Sequence, residues 1–228
     1  MRAVVMGGTS GIGLAVADAL ADGGIKVTVT GRDPVKLAAL DGRVAGAEPL
    51  DCTRRADVAE FFERHGRFEH LVLAFSPGAV GMGPVREVSL PDIEAAFSGK
   101  LFAYLDAIQH AQVTESITMI SAASARAALP GTVALAGVNG AIERIVSPLA
   151  AELAPVRVNA VSPGVVDTAW WSFLTEEQRQ AQFAAAASSV PAGRVSTPAD
   201  VAGAVRYLVG ASMVTGSILP VDGGFTVA

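Results

Sequence analysis

Short apolar runs of strand type alternate along this chain with longer stretches of helical spacing, and that alternation narrows the accessible folds more than any single residue does. The runs lie at 2–6, 25–30, 69–75, 115–121, 156–161 and 217–221, with a weaker one at 43–50. Helical patterns begin near Gly11, Pro34, Arg55, Pro91, Gly131 and Pro198. Strands separated by helices cannot pair as hairpins; they demand right-handed crossovers and a parallel sheet covered on both faces. Near-continuous apolar strands such as Ala3-Val4-Val5-Met6 agree, because a parallel strand is buried on both sides. The 228 residues contain no linker or repeat, so the spacing predicts a single α/β domain over 1–228 with a seven-stranded parallel sheet. The alternation breaks once, between Pro163 and Pro198, where a helical segment carrying Trp170, Trp171, Phe173 and Phe183 is inserted. Such an excursion reads as a lid, 166–197, over a substrate.

Composition excludes several classes of function. Apolar residues make up 51% of the chain and charged residues 17%, which is not the composition of a disordered segment. A net charge of −5 without any basic run argues against nucleic acid and against an anionic membrane surface as partners. The single cysteine, Cys52, cannot form an intrachain disulfide, and no Cys/His grouping has the spacing of a metal site. With no signal-type start and no long apolar stretch, the expected location is the cytoplasm. His65, His70 and His110 fall outside every cleft motif and read as surface or packing residues.

Directly after the first strand comes Gly7-Gly8-Thr9-Ser10-Gly11-Ile12-Gly13, followed by a helical pattern. Glycines there permit a tight turn and close approach to a pyrophosphate, while the helix's free N–H groups attract the anion. The alternative is an ordinary strand-to-helix turn. The second strand ends at Gly31-Arg32, where a guanidinium suits the 2′-phosphate of NADP better than the ribose hydroxyls of NAD. The expected cofactor is therefore NADP(H), with Asp33 next door as the residue that would serve a ribose instead.

Taken with Leu50-Asp51, Arg157-Val158-Asn159-Ala160-Val161-Ser162-Pro163-Gly164 and Val221-Asp222-Gly223-Gly224, the loop makes the chain resemble the short-chain dehydrogenase/reductase family over essentially its whole length. The resemblance implies a doubly wound Rossmann-type three-layer α/β/α fold. It implies cofactor contacts from Gly7, Thr9, Ser10, Gly11, Ile12, Gly13, Arg32, Asp51, Cys52, Ala74, Ser76, Pro163, Gly164, Val166 and Thr168. It also implies a homodimer or homotetramer built on helices near 91–111 and 131–153. The family's usual tyrosine, the lysine four residues later, the serine thirteen residues before and the asparagine on the preceding helix fall here on Leu135, Asn139, Ala122 and Lys100. Neither Leu135 nor Ala122 can donate a proton, so the usual alcohol–ketone mechanism is not expected.

Three polar residues remain near the expected nicotinamide position. Arg126, on the loop after the fifth strand, reads either as a substrate-orienting cation or as a solvated loop charge. Asp167, between the nicotinamide turn and the lid, reads either as a catalytic carboxylate stabilising a positive charge on substrate nitrogen or as a helix N-cap. Lys100 either hydrogen-bonds towards Asn139 or a water, or snorkels to solvent. The whole resembles an atypical branch of the family that includes reductases of imines and iminium ions. The resulting expectation is an NADPH-dependent reductase of an apolar substrate, with Asp167 and Arg126 catalytic and Trp170, Trp171 and Phe173 lining the substrate. The competing expectations are a non-redox NADP(H)-binding protein, such as a sensor or scaffold, and a cofactor-assisted cyclase or isomerase.

Overall fold

The computed structural model describes residues 1–227. Seven parallel strands form one sheet in the order β3-β2-β1-β4-β5-β6-β7: β1 (Arg2–Met6), β2 (Lys26–Gly31), β3 (Gly46–Pro49), β4 (Arg67–Leu73), β5 (Gln112–Ile120), β6 (Arg157–Pro163) and β7 (Ile218–Val221). The helices are α1 (Gly11–Asp22), α2 (Pro34–Ala38), α3 (Arg55–His65), α4 (Leu90–Phe97), α5 (Ala103–His110), α6 (Val133–Glu152), α7 (Glu176–Ser189) and α8 (Pro198–Gly210). This is the doubly wound arrangement, with two apolar cores on opposite faces of the sheet. One packs Phe61, Phe62, Tyr104, Met119 and Ile142; the other packs Val16, Leu20, Val29, Val205 and Leu208. Strand order reverses between β1 and β4, which opens a crevice at their C-terminal ends.

Two segments differ from the sequence pattern. The helix expected over 91–111 is interrupted by a π-helical turn, Ser98–Phe102, between α4 and α5. The segment after Pro163 is a short 3-10 turn, Ala169–Trp171, followed by α7, which carries no buried residue. Helix α7 is held locally by a capping box in which Thr175 and Gln178 satisfy each other's backbone N–H groups. Among the described residues α6 is the one helix long and apolar enough to cross a membrane. Its Val138, Ile142 and Val146 are buried in the core cluster on one face of the sheet.

Candidate active site

The strand ends converge on a cleft of about 650 Å³. At its base Gly7 adopts φ +81°, a left-handed conformation that turns the chain from β1 into α1 without a Cβ penalty. A Cβ on Gly13 would lie 2.2 Å from the Gly7 carbonyl oxygen, so α1 can approach the loop only because that side chain is absent. Ser10, the N-cap of α1, makes no side-chain capping bond, and the first turn holds no acidic residue. The helix's leading N–H groups and positive dipole end therefore remain available to an anion. Exposed Arg32 and Lys36 line the same end of the cleft. A pyrophosphate on the loop and a 2′-phosphate beside the two cations fit these residues.

Gly7, Thr9, Ser10, Gly11, Ile12, Arg32, Asp51, Cys52, Ala74, Ser76, Pro163, Gly164, Val166 and Thr168 all line the cleft. Gly13 does not; it is a buried packing glycine under the loop, which corrects its assignment as a cofactor contact. Asp33 does not line the cleft; its Oδ1 caps α2 by accepting from the Val35 and Lys36 N–H groups at 2.9 and 3.3 Å. Hydrogen bonds from the Thr53 hydroxyl and backbone N–H hold the Asp51 carboxyl below its ordinary pKa, keeping it charged. Burial pushes the Cys52 thiol up to about 12, so Cys52 serves as a small apolar wall.

Both residues expected to be catalytic lie elsewhere. Asp167 is exposed and does not border the cleft, although Val165, Val166 and Thr168 around it do. Its backbone N–H donates to the Ser196 carbonyl, and the capping role in this segment belongs to Thr168, whose hydroxyl accepts from the Trp170 N–H. Arg126 is drawn to a carboxylate behind the cleft wall: its Nε lies 3.3 Å from Glu143 Oε2, and its Nη2 donates to Ser162 Oγ at 2.9 Å. Glu143 Oε1 in turn accepts from Ser162 Oγ at 2.6 Å and Ser121 Oγ at 2.9 Å. Trp170 and Trp171 line the cleft, and the Trp171 indole N–H donates to the Val166 carbonyl at 3.0 Å. Phe173 does not line it; half-exposed, it packs edge-on against Trp170 from outside.

The reacting end of the cleft is lined by Ala122, Leu135, Val138, Leu129 and Met82, with Lys100, Asn139, Ser124 and Thr132 among its polar members. Of the two alternatives for Lys100, the structure takes the internal one: the side chain is buried and its Nζ donates to Asn139 Oδ1 at 2.7 Å. Burial lowers its pKa to about 7. Tyr104 also borders the cleft, but its hydroxyl donates to the Phe75 and Ile120 carbonyls, and burial raises its pKa well above the ordinary value. It is therefore not an available acid.

Sequence reasoning missed Lys36, Ser124 and Phe225, all of which line the cleft. Lys36 was detectable as a second cation four residues after Arg32 at the start of a helix. Ser124 and Phe225 stand just beyond the recognisable motifs, and nothing local distinguishes them.

A family model described as Enoyl-(Acyl carrier protein) reductase matches residues 7–226. The L-2,3-butanediol dehydrogenase of Corynebacterium glutamicum is 30% identical over 252 residues, spanning 97% of each chain. The 3-oxoacyl-[acyl-carrier-protein] reductase MabA of Mycobacterium tuberculosis is 33% identical over 229 residues, covering 97% of this chain and 91% of that protein. Among solved structures, a small-chain dehydrogenase in complex with NADPH superposes with a TM-score of 0.87 at 30% identity, covering 100% of this chain and 99% of the other.

Proposed function

Since the chain belongs to the short-chain dehydrogenase/reductase family of oxidoreductases, we propose that it is an NADPH-dependent reductase with an atypical active site. Its substrate on this reading is an apolar compound with a C=N bond, a cyclic imine being the best fit. One observation carries the reading. The cleft keeps an open helix amino terminus over a glycine loop, with two cations nearby, while Ala122 and Leu135 line it where the family places its serine and tyrosine. The solved relative holding NADPH supports the cofactor assignment.

NADPH, when bound, supplies the hydride. The chain's own part is to hold and shelter. The α1 amino terminus and loop would bind the pyrophosphate, and Arg32 and Lys36 the 2′-phosphate. The Pro163-Gly164 turn and Thr168 would orient the nicotinamide. Trp170, Trp171, Leu129 and Met82 would exclude water and favour an apolar substrate. Among the described residues no carboxylate lines the reacting end, so a neutral imine is preferred here to the iminium ion that Asp167 was expected to stabilise.

Titration of NADPH fluorescence, followed by turnover on matched imine and ketone panels, tests this. The expected result is NADPH binding, preference over NADH, and oxidation of NADPH with imines. Arg32→Ala should weaken NADPH about 10- to 100-fold, the worth of a charge-assisted hydrogen bond, and leave NADH nearly unaffected. Binding without hydride transfer to any substrate would favour a non-redox sensor or scaffold, and product without net NADPH consumption a cyclase or isomerase. We also propose a cytoplasmic homodimer or homotetramer, paired through α4–α5 and α6, without nucleic acid or membrane partners. Exposed Leu90, Phe102 and Val133 on those elements support the pairing.

A further inference from the structure

The amine and the carboxamide in this cleft stand on opposite elements from those the family pattern assigns to them. The π-helical turn Ser98–Phe102 widens the helix where Lys100 leaves it. Gly99 in that turn lies so close to Pro77 that a Cβ would come within 2.9 Å of its ring. From this position Lys100 Nζ spans to α6, 2.7 Å from Asn139 Oδ1, and lies 3.5 Å from the Ser121 carbonyl. The carboxamide cannot turn over: Asn139 Nδ2 donates to the Leu135 carbonyl at 2.9 Å and to Ser124 Oγ at 3.1 Å, which fixes Oδ1 towards the amine. An ammonium has three N–H bonds and these partners account for two. The third is left for a molecule in the cleft that Lys100 lines.

Two titratable groups on neighbouring elements are already committed elsewhere. On α6 Glu143 is engaged by Ser121, Ser162 and Arg126. On α5 Tyr104 is committed to two carbonyls. Burial alone shifts Lys100, and it brings the amine to about 7, where proton donation at neutral pH is most effective.

We propose that Lys100 is the proton donor of this enzyme, positioned by Asn139, and that the substrate is a neutral imine whose nitrogen takes that proton. The assignment rests on the reductase reading above. The substrate carbon gains the hydride that NADPH supplies, which leaves NADP⁺. The C=N π pair passes to nitrogen, a new N–H bond forms as an Nζ–H bond breaks, and the neutral amine of Lys100 recovers a proton from water. An N-alkyl iminium ion needs the same hydride but no proton.

That difference is the test. Wild type, Lys100→Met and Lys100→Arg are assayed with NADPH on a methyl-substituted indolenine, a weakly basic cyclic imine, and on its N-methyl indoleninium salt. Lys100→Met should lose at least about 100-fold more rate on the indolenine than on the salt, the usual worth of general acid catalysis. Lys100→Arg should fail in the same way, because a guanidinium does not release its proton. In wild-type protein labelled at lysine Cε, only three lysine signals exist, and the one missing from Lys100→Met should titrate near neutrality. Equal losses on both compounds, no loss on either, or a Lys100 signal titrating like an ordinary lysine overturns the assignment. Wild type that reduces neither compound overturns the reductase reading, and this assignment falls with it. Wild type that reduces both with an unmoved ratio sinks the Lys100 role alone.

Discussion

At the scale of the residue, Lys100 stores a cost that the fold carries. Its folded pKa of about 7 lies below the usual lysine value of 10.5. Between those two pH values the unfolded chain holds a proton that the folded chain does not, so stability rises with pH across the window. Below about 7 both states are protonated and the full penalty of burying an ammonium is in force. Lys100→Met should therefore raise Tm most at pH about 6, with the gain shrinking by pH about 9, as read by scanning calorimetry. A gain that grows with pH, or a loss of Tm at pH about 6, would contradict the buried-ammonium account. Arg126 shows the converse. Its charge is met by Glu143 and Ser162, and it does not border the cleft.

At the scale of the element, the contrast is between α6 and α7. Helix α6 is 20 residues long and packs Ala134, Val138, Ile142 and Val146 into the core. Helix α7 buries nothing and is held by its capping box and by Phe183, whose ring meets that of Trp171 edge-on at 6.0 Å. Local stability follows buried apolar contact. In hydrogen exchange read by mass spectrometry, residues 176–189 should lose protection at least about tenfold faster than 133–152. Equal protection of the two helices would show that α7 is tied down by contacts these residues do not account for. The part of the 166–197 excursion that borders the cleft is Val166 and Thr168 to Ser172, and α7 stands outside it.

At the scale of the whole molecule, Glu143 joins three elements of the structure: it lies on α6, accepts from Ser121 just beyond β5 and Ser162 on β6, and pairs with Arg126. Glu143→Gln keeps the shape and removes the charge. The expected cost is about 1–2 kcal/mol, since Arg126 is partly solvated, or roughly 2–8 °C in Tm for a chain of this size. NADPH affinity should stay within about threefold, as no member of the network except Ser121 borders the cleft. An unchanged Tm would remove the bracing role, and lost affinity would put the network in the binding site. What the amino-acid sequence determined by itself is local or periodic. The strand–helix alternation set the parallel sheet, the Gly7–Gly13 loop set the turn into α1, and Leu135 and Ala122 are side chains that cannot donate a proton. What only the tertiary structure decided is which distant groups meet and which way they face. Lys100 and Asn139 are 39 residues apart, and among the alternatives the amino-acid sequence left open for Lys100 the fold selects the Asn139 contact, from a π-helical turn that has no signature in spacing. Asp167 stands exposed outside the cleft that its neighbours Val166 and Thr168 border, and Arg126 is paired with a carboxylate on α6. Charge and hydroxyl content are properties of a residue, whereas desolvation and facing are properties of everything packed around it.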